Sequence, residues 1–189
     1  GSYNGLFGYI SGAMIKNVNI IDSYFYDYED KYIGILCGYS TMSTIENVLV
    51  KKSYVYGSDY IGGVCGRGSK TINNVGSLNC SIKGAGYCGD IVGYSAYATI
   101  SNSFTTSSSC VCGWNSSGTI TNCYYLAEAD DQNGGKASTQ FASGEVAYLL
   151  NGGKSGDDVV WRQNLGEANG DATPVLDSSH GIVYLGEPC

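Results

Sequence analysis

Between residues 3 and 125, apolar and polar positions alternate in short runs punctuated by glycine. Tyr32-Ile33-Gly34-Ile35-Leu36-Cys37 and Tyr60-Ile61-Gly62-Gly63-Val64-Cys65 are two of them, and Val48 to Val50 and Tyr54 to Tyr56 add alternating or near-alternating apolar positions. Aromatic and β-branched residues bounded by glycine predict strands. The 3.6-residue spacing of an amphipathic helix is absent from this part of the chain.

The runs recur. An Ile-x-Asn marker followed by a small or apolar residue occurs at Ile15-Lys16-Asn17-Val18, Ile45-Glu46-Asn47-Val48, Ile72-Asn73-Asn74-Val75, Ile100-Ser101-Asn102-Ser103 and Ile120-Thr121-Asn122-Cys123. The intervals are 30, 27, 28 and 20 residues. A second marker precedes each: Gly5-Leu6-Phe7-Gly8, Ile35-Leu36-Cys37-Gly38, Gly63-Val64-Cys65-Gly66, Asp90-Ile91-Val92-Gly93 and Cys110-Val111-Cys112-Gly113. A unit this short cannot bury its apolar side alone, so copies must stack. The pattern predicts an all-β protein whose residues 1–125 form a parallel β-solenoid (β-helix) of about five coils, spaced about 4.8 Å apart.

Stacking turns each repeat position into a column of side chains. Asn17, Asn47, Asn74, Asn102 and Asn122 read as a turn ladder, because asparagine tolerates left-handed backbone and its amide can bond the next coil. Gly8, Gly38, Gly66, Gly93 and Gly113 form a turn column. Directly after them come Tyr9, Tyr39, Arg67, Tyr94 and Trp114. These five are the candidate binding residues: an aromatic stripe on one side of the rod, with Arg67 held between rings by cation–π contact. A flat stripe of this kind could lie against sugar rings. Equally, stacked aromatics stabilise a solenoid without any ligand, and a second set, Tyr24 and Tyr54, fits that plainer reading.

Eight cysteines in 189 residues raise the question of a disulfide framework. Their columns answer differently. Cys37, Cys65 and Cys112 share a column with Phe7 and Val92, Cys123 falls with Val18, Val48 and Val75, and Cys88 with Ile33 and Ile61. Thiols that alternate with apolar side chains behave as small buried hydrophobes. Cys80 falls in the column of Ser23 and Ser53 and is expected to be exposed, and Cys189 is terminal.

Beyond Tyr125 the repeat stops. Residues 126–189 are expected to form a small mixed α/β cap on the last coil, since an open coil exposes unpaired backbone. Ala142, Val146, Leu149 and Leu150 predict one helix, with Ser138 or Ser143 as N-cap and Gly152 as stop. Two or three short strands are expected, around Val159–Trp161, Pro174–Leu176 and Ile182–Tyr184. The other end of the solenoid begins inside a coil at Tyr3, so the segment is expected to be part of a longer chain.

Composition narrows the function classes. A formal charge of −7 opposes nucleic-acid binding, which needs clustered Lys and Arg. No apolar run approaches the ~18 residues of a membrane span, so membrane insertion is not expected of this segment. The clusters Asp27-Tyr28-Glu29-Asp30 and Glu128 to Gly135 carry oxygens a hard cation could use, but neither has the spacing of an ordered loop, and solvated turns explain both. Cys110-x-Cys112 is not the Cys-x-x-Cys of zinc sites. His180 is the only histidine and has no evident Ser or Cys partner. The expectation is therefore no metal site, no catalytic residues and no cofactor.

Gly5-Leu6-Phe7-Gly8 and its variants, each followed by Ile-x-Asn, resemble the GLUG-motif repeats of bacterial surface and adhesin-like proteins, also found beside IgA-cleaving metalloprotease domains. The resemblance covers residues 3–125. Asp90 and Cys110 depart from it where Gly5 and Gly63 stand, and the segment Phe141 to Tyr184 is similar to the tail that often follows such repeats. It implies a secreted or cell-surface module without catalytic activity, a stalk or an adhesive surface for glycan or for a host or bacterial surface protein. Proteolysis is not implied, because no His-Glu-x-x-His occurs. The alternative is a polysaccharide-degrading β-helix enzyme, a lyase or a glycoside hydrolase, which would need paired carboxylates or Asp with Lys or Arg in one cleft. Asp22, Glu46, Asp59 and Asp90 occupy different repeat positions.

Overall fold

The computed structural model describes residues 3–68, 70–107, 110–166 and 170–185. Cys189 lies outside them. The first coil comprises β1 (Tyr3–Asn4), β2 (Phe7–Ser11), β3 (Met14–Ile21) and β4 (Tyr24–Tyr26). The second comprises β5 (Tyr32–Gly34), β6 (Cys37–Thr41), β7 (Ser43–Lys51) and β8 (Tyr54–Gly57), and the third β9 (Tyr60–Gly62), β10 (Cys65–Gly68), β11 (Lys70–Leu78) and β12 (Ser81–Gly84). The fourth keeps β13 (Tyr87–Gly89), β14 (Val92–Ser95) and β15 (Thr99–Thr105), and the fifth only β16 (Cys112–Asn115) and β17 (Thr119–Leu126).

Equivalent strands stack in parallel into four sheets, giving a β-solenoid of about four turns. Sheet A runs β1-β5-β9-β13, sheet B β2-β6-β10-β14-β16, and sheet D β4-β8-β12. Sheet C runs β3-β7-β11-β15-β17 and ends on a sixth strand, β18 (Gly135–Lys136). The fifth coil falls short of a full turn because only 20 residues separate Ile100 from Ile120, too few for strands in all four sheets.

Register follows the repeat. Phe7, Cys37, Cys65, Val92 and Cys112 are paired neighbours, as are Ile15, Ile45, Ile72, Ile100 and Ile120. Inside the tube Ile33, Leu36, Ile45, Val48, Val64 and Ile91 are fully buried. The long strands of sheet C bend at their asparagines, whose φ lies between 51° and 58°. Asn47 Nδ2 donates to Asn17 Oδ1 at 2.9 Å, Asn74 Nδ2 to Asn47 Oδ1 at 3.0 Å, and Asn122 Nδ2 to Asn102 Oδ1 at 2.7 Å. One rung is offset: Asn102 donates to Asn73 Oδ1 instead of Asn74.

Left-handed residues also make the next corner, at Asp22, Lys52 and Asn79. The residue after each turns inward. Ser53 Oγ donates to Lys51 O at 2.8 Å, and Cys80 Sγ donates to Leu78 O at 3.4 Å. Cys80 is thus half-buried against the core, contrary to its expected exposure. The corner needs a donor for the carbonyl two residues back, and a thiol serves where a hydroxyl stands in the coil above. Ser103 and Cys123, which follow Asn102 and Asn122, repeat the arrangement with bonds of 2.7 and 3.3 Å.

The C-terminal segment lies along the outer face of sheet C. Leu49, Leu78 and Phe104 point outward there and build a second core with Phe141, Val146, Leu150, Trp161 and Val183. Gly76 stands between Leu49 and Phe104, where a Cβ would come 2.6 Å from Leu49 Cδ2. Trp161 Nε1 donates to Asn102 O at 2.9 Å, and Asn122 Nδ2 to Leu150 O at 3.1 Å. β18 pairs with Tyr125 and Leu126 at the far end of the same sheet.

The single expected helix is two short ones, α1 (Ser138–Ala142) and α2 (Glu145–Leu150). Gly144 separates them with φ +87°, a backbone conformation that breaks the helix, and Val183 Cγ1 would sit 2.8 Å from a Cβ there. Neither expected serine is the cap of α1; Ala137 is, and its N–H donates to Gln140 Oε1 at 2.8 Å. Ala142 is exposed and Phe141 buried, so the apolar face is set by Phe141, Val146, Ala147 and Leu150. The three expected strands do not form among the described residues. One antiparallel bridge, Arg162 to Val175, stands in their place.

Candidate functional site

The five predicted stripe residues lie in one column of sheet B. Tyr9 pairs with Tyr39, Tyr39 with Arg67, Arg67 with Tyr94, and Tyr94 with Trp114. The Arg67 guanidinium carbon lies 4.8 Å from the Tyr39 ring centre and 5.1 Å from that of Tyr94. Among the described residues Arg67 Nε is buried without a hydrogen-bond partner, so the rings hold this group. Burial raises the Tyr39 phenol above its usual pKa, and Arg67 partly offsets that.

The stripe is wider than the sequence reading made it. Sheet A adds Tyr3, Tyr32, Tyr60 and Tyr87, whose rings stack 5.1 to 5.6 Å apart. The two columns interlock: Tyr32 meets Tyr39 edge-on at 5.3 Å, and Tyr87 meets Trp114 at 4.6 Å. The signal was present in Tyr32-Ile33-Gly34, Tyr60-Ile61-Gly62 and Tyr87-Cys88-Gly89, each of which places tyrosine two residues before a glycine.

Ring orientation decides what the ladder offers. In sheet A the faces of successive rings point at each other along the solenoid axis, with interplanar angles of 9° for Tyr32–Tyr60 and 18° for Tyr60–Tyr87. Interior rings therefore present edges and hydroxyls outward. Exposed ring surface is concentrated at the two ends, where Tyr9 is 51% and Trp114 46% exposed. On sheet D, Tyr24–Tyr54 and Tyr26–Tyr56 stack the same way, at 5.0 Å and within 11° of parallel.

On the coils the candidate carboxylates do not converge. Asp22 sits on a left-handed corner, Glu46 pairs with Lys16 at 2.6 Å on the outside of sheet C, and Asp90 is buried inside the tube. Burial pushes the Asp90 carboxyl up to about 6, with side-chain hydrogen bonds to Ser107 and Thr105 opposing it. In the two acidic clusters the carboxylates bond their own loops. Asp27 Oδ1 accepts the N–H groups of Glu29 and Asp30. Asp131 accepts from Asn133 N, Gly135 N and Tyr125 Oη, and Asp130 pairs with Lys136 at 2.9 Å. Among the described residues no group of three His, Cys, Asp or Glu is placed to hold a metal ion.

Seven thiols are free in the described residues, and Cys110 alone among them is exposed. Cys110, Cys112 and Cys123 line a cavity of about 410 Å³ at the fifth coil, with Val111, Ile120, Tyr125 and Asn133. Burial raises Cys112 and Cys123 to about 11, so both are protonated thiols at neutral pH. His180 is half-buried in the C-terminal segment, its Nδ1 2.6 Å from Asp171 Oδ2.

Comparison with protein-family models finds no match, and comparison with curated proteins and with solved structures finds none either.

Proposed function

We propose that this chain is a non-catalytic, adhesin-like module of a bacterial secreted or cell-surface protein of the GLUG-repeat kind. Its partner is a glycan or a surface protein. The observation that supports this reading is the pair of interlocked aromatic columns on sheets A and B, with ring surface exposed at Tyr3, Tyr9, Tyr87 and Trp114. Packed tyrosines give large, rigid, amphipathic contact area at low conformational-entropy cost, the property that makes them frequent in recognition surfaces. An enzyme reading would need paired carboxylates or Asp with Lys or Arg in one cleft. On the coils Asp22, Glu46 and Asp90 are scattered over a corner, an outer face and the interior. Among the described residues, only the groove beside the C-terminal segment, with Asp157, Asp158, Lys154 and Arg162, is a place where turnover would be sought.

A glycan array combined with a reducing-sugar assay tests the proposal. Binding without turnover is the expected outcome. Release of reducing ends from any polysaccharide would overturn the non-catalytic reading.

A further inference from the structure

A groove runs between the asparagine ladder and the C-terminal segment. Its first lobe, about 390 Å³, is bounded by Asn17 and Asn47, and its second, about 650 Å³, by Asn74 and Asn102. The lobes share Asp157, Val159 and Val160 and so form one trough. It crosses four coils, a length of about 14 Å at the usual strand spacing.

The two walls differ in chemistry. On the solenoid side stand the amides of Asn17, exposed, and Asn47 and Asn102, half-buried, with Asn74 buried between them. Each ladder bond uses one N–H of an amide that has two, and one lone pair of an oxygen that has two. On the other side Val159 and Val160 form an aliphatic strip, and the groove's charged side chains are of both signs, Lys154 and Arg162 against Asp157 and Asp158. An extended peptide joining by strand addition needs a free sheet edge. β7, β11 and β15, which carry Asn47, Asn74 and Asn102, are each paired on both sides. What fits is a neutral ligand with a hydroxyl rim and C–H faces.

We infer that this groove is a subsite for a neutral oligosaccharide lying along the solenoid axis, its hydroxyls on the amides and a C–H face on Val160. The inference rests on the glycan form of the function proposed above, and it moves the contact away from the aromatic ladder.

The test titrates neutral oligosaccharides of increasing length, chosen from the array, into the intact protein by calorimetry. Val160 is 38% exposed, so Val160→Asp is compatible with folding, which near-ultraviolet circular dichroism would verify. Val160→Asp and Asp157→Ala are expected to weaken binding at least about tenfold, while Tyr97→Ala, at a 74% exposed residue outside the groove, changes it less than about twofold; Tyr87→Ala and Trp114→Ala report on the ladder. Binding lost in the Tyr87 and Trp114 variants but kept in the groove variants would overturn the groove and leave the adhesive function standing. Absence of binding to every neutral oligosaccharide would overturn both the groove and the glycan form of the function.

Discussion

Arg67 lies between Tyr39 and Tyr94, one coil from each, with its guanidinium carbon about equally distant from the two rings at 4.8 and 5.1 Å. The planar guanidinium takes the place of a ring in an otherwise aromatic column. Arg67→Lys keeps the charge and loses the planar stack, and should lower the unfolding free energy by about 1 kcal/mol. Arg67→Tyr restores a continuous ladder and removes the unpartnered buried Nε, so it should be neutral or stabilising. Urea unfolding curves of the two variants should order them in this way.

Asp90 should govern the pH dependence of stability in mild acid. Its folded carboxyl titrates at about 6 against an ordinary value of 3.8. The native state therefore binds more protons than the unfolded chain between these values. Stability from this group is fully present below about pH 4 and is lost as pH rises through about 6, a penalty of up to about 3 kcal/mol at neutral pH. Asp90→Asn should flatten that slope and raise the urea midpoint at pH 7. A variant with unchanged pH dependence would contradict the assignment.

The corner thiols and the core thiols should respond differently to serine. Cys80 and Cys123 already make the bond that Ser53 and Ser103 make, so Cys80→Ser and Cys123→Ser should change stability by less than about 1 kcal/mol. Cys37 and Cys65 are fully buried with sulfurs 3.4 Å apart, and Cys37→Ser should destabilise by about 1–3 kcal/mol. With a thiol reagent on the folded protein, Cys110 should react before the other six of the described thiols. Blocked thiols in denatured, unreduced protein would instead indicate disulfides.

Phe104 joins the solenoid to the C-terminal segment through Phe141 and Trp161, at ring distances of 5.8 and 5.1 Å. Phe104→Ala should cost about 3–5 kcal/mol, concentrated in the docking of that segment. Limited proteolysis should then cut between residues 127 and 160 while the coils stay resistant. Uniform degradation of both parts would argue against separate docking.

The coils were readable because parallel, in-register stacking turns sequence distance directly into position. Once Ile-x-Asn recurred, the partners of Phe7, Tyr9 and Asn17 followed without further information. Other features have no periodic signature. Leu49 and Phe104 read as ordinary strand residues, and only the outward turn after each asparagine makes them a docking face. The inward turn of Cys80 depends on the left-handed Asn79, and the break at Gly144 on the approach of Val183. The tyrosines of sheet A were visible in the repeat, but the edge-outward set of their rings was not. That orientation is a property of the stack and not of any single coil.

β18 has a consequence for assembly. By occupying the sixth position of sheet C, against Tyr125 and Leu126, it fills the place a further coil would need beyond β17. Among the described residues β3, at the other edge of sheet C, pairs only with β7. Adding a coil in register requires a free strand edge, and over Tyr125 and Leu126 that edge is already taken by the chain's own β18.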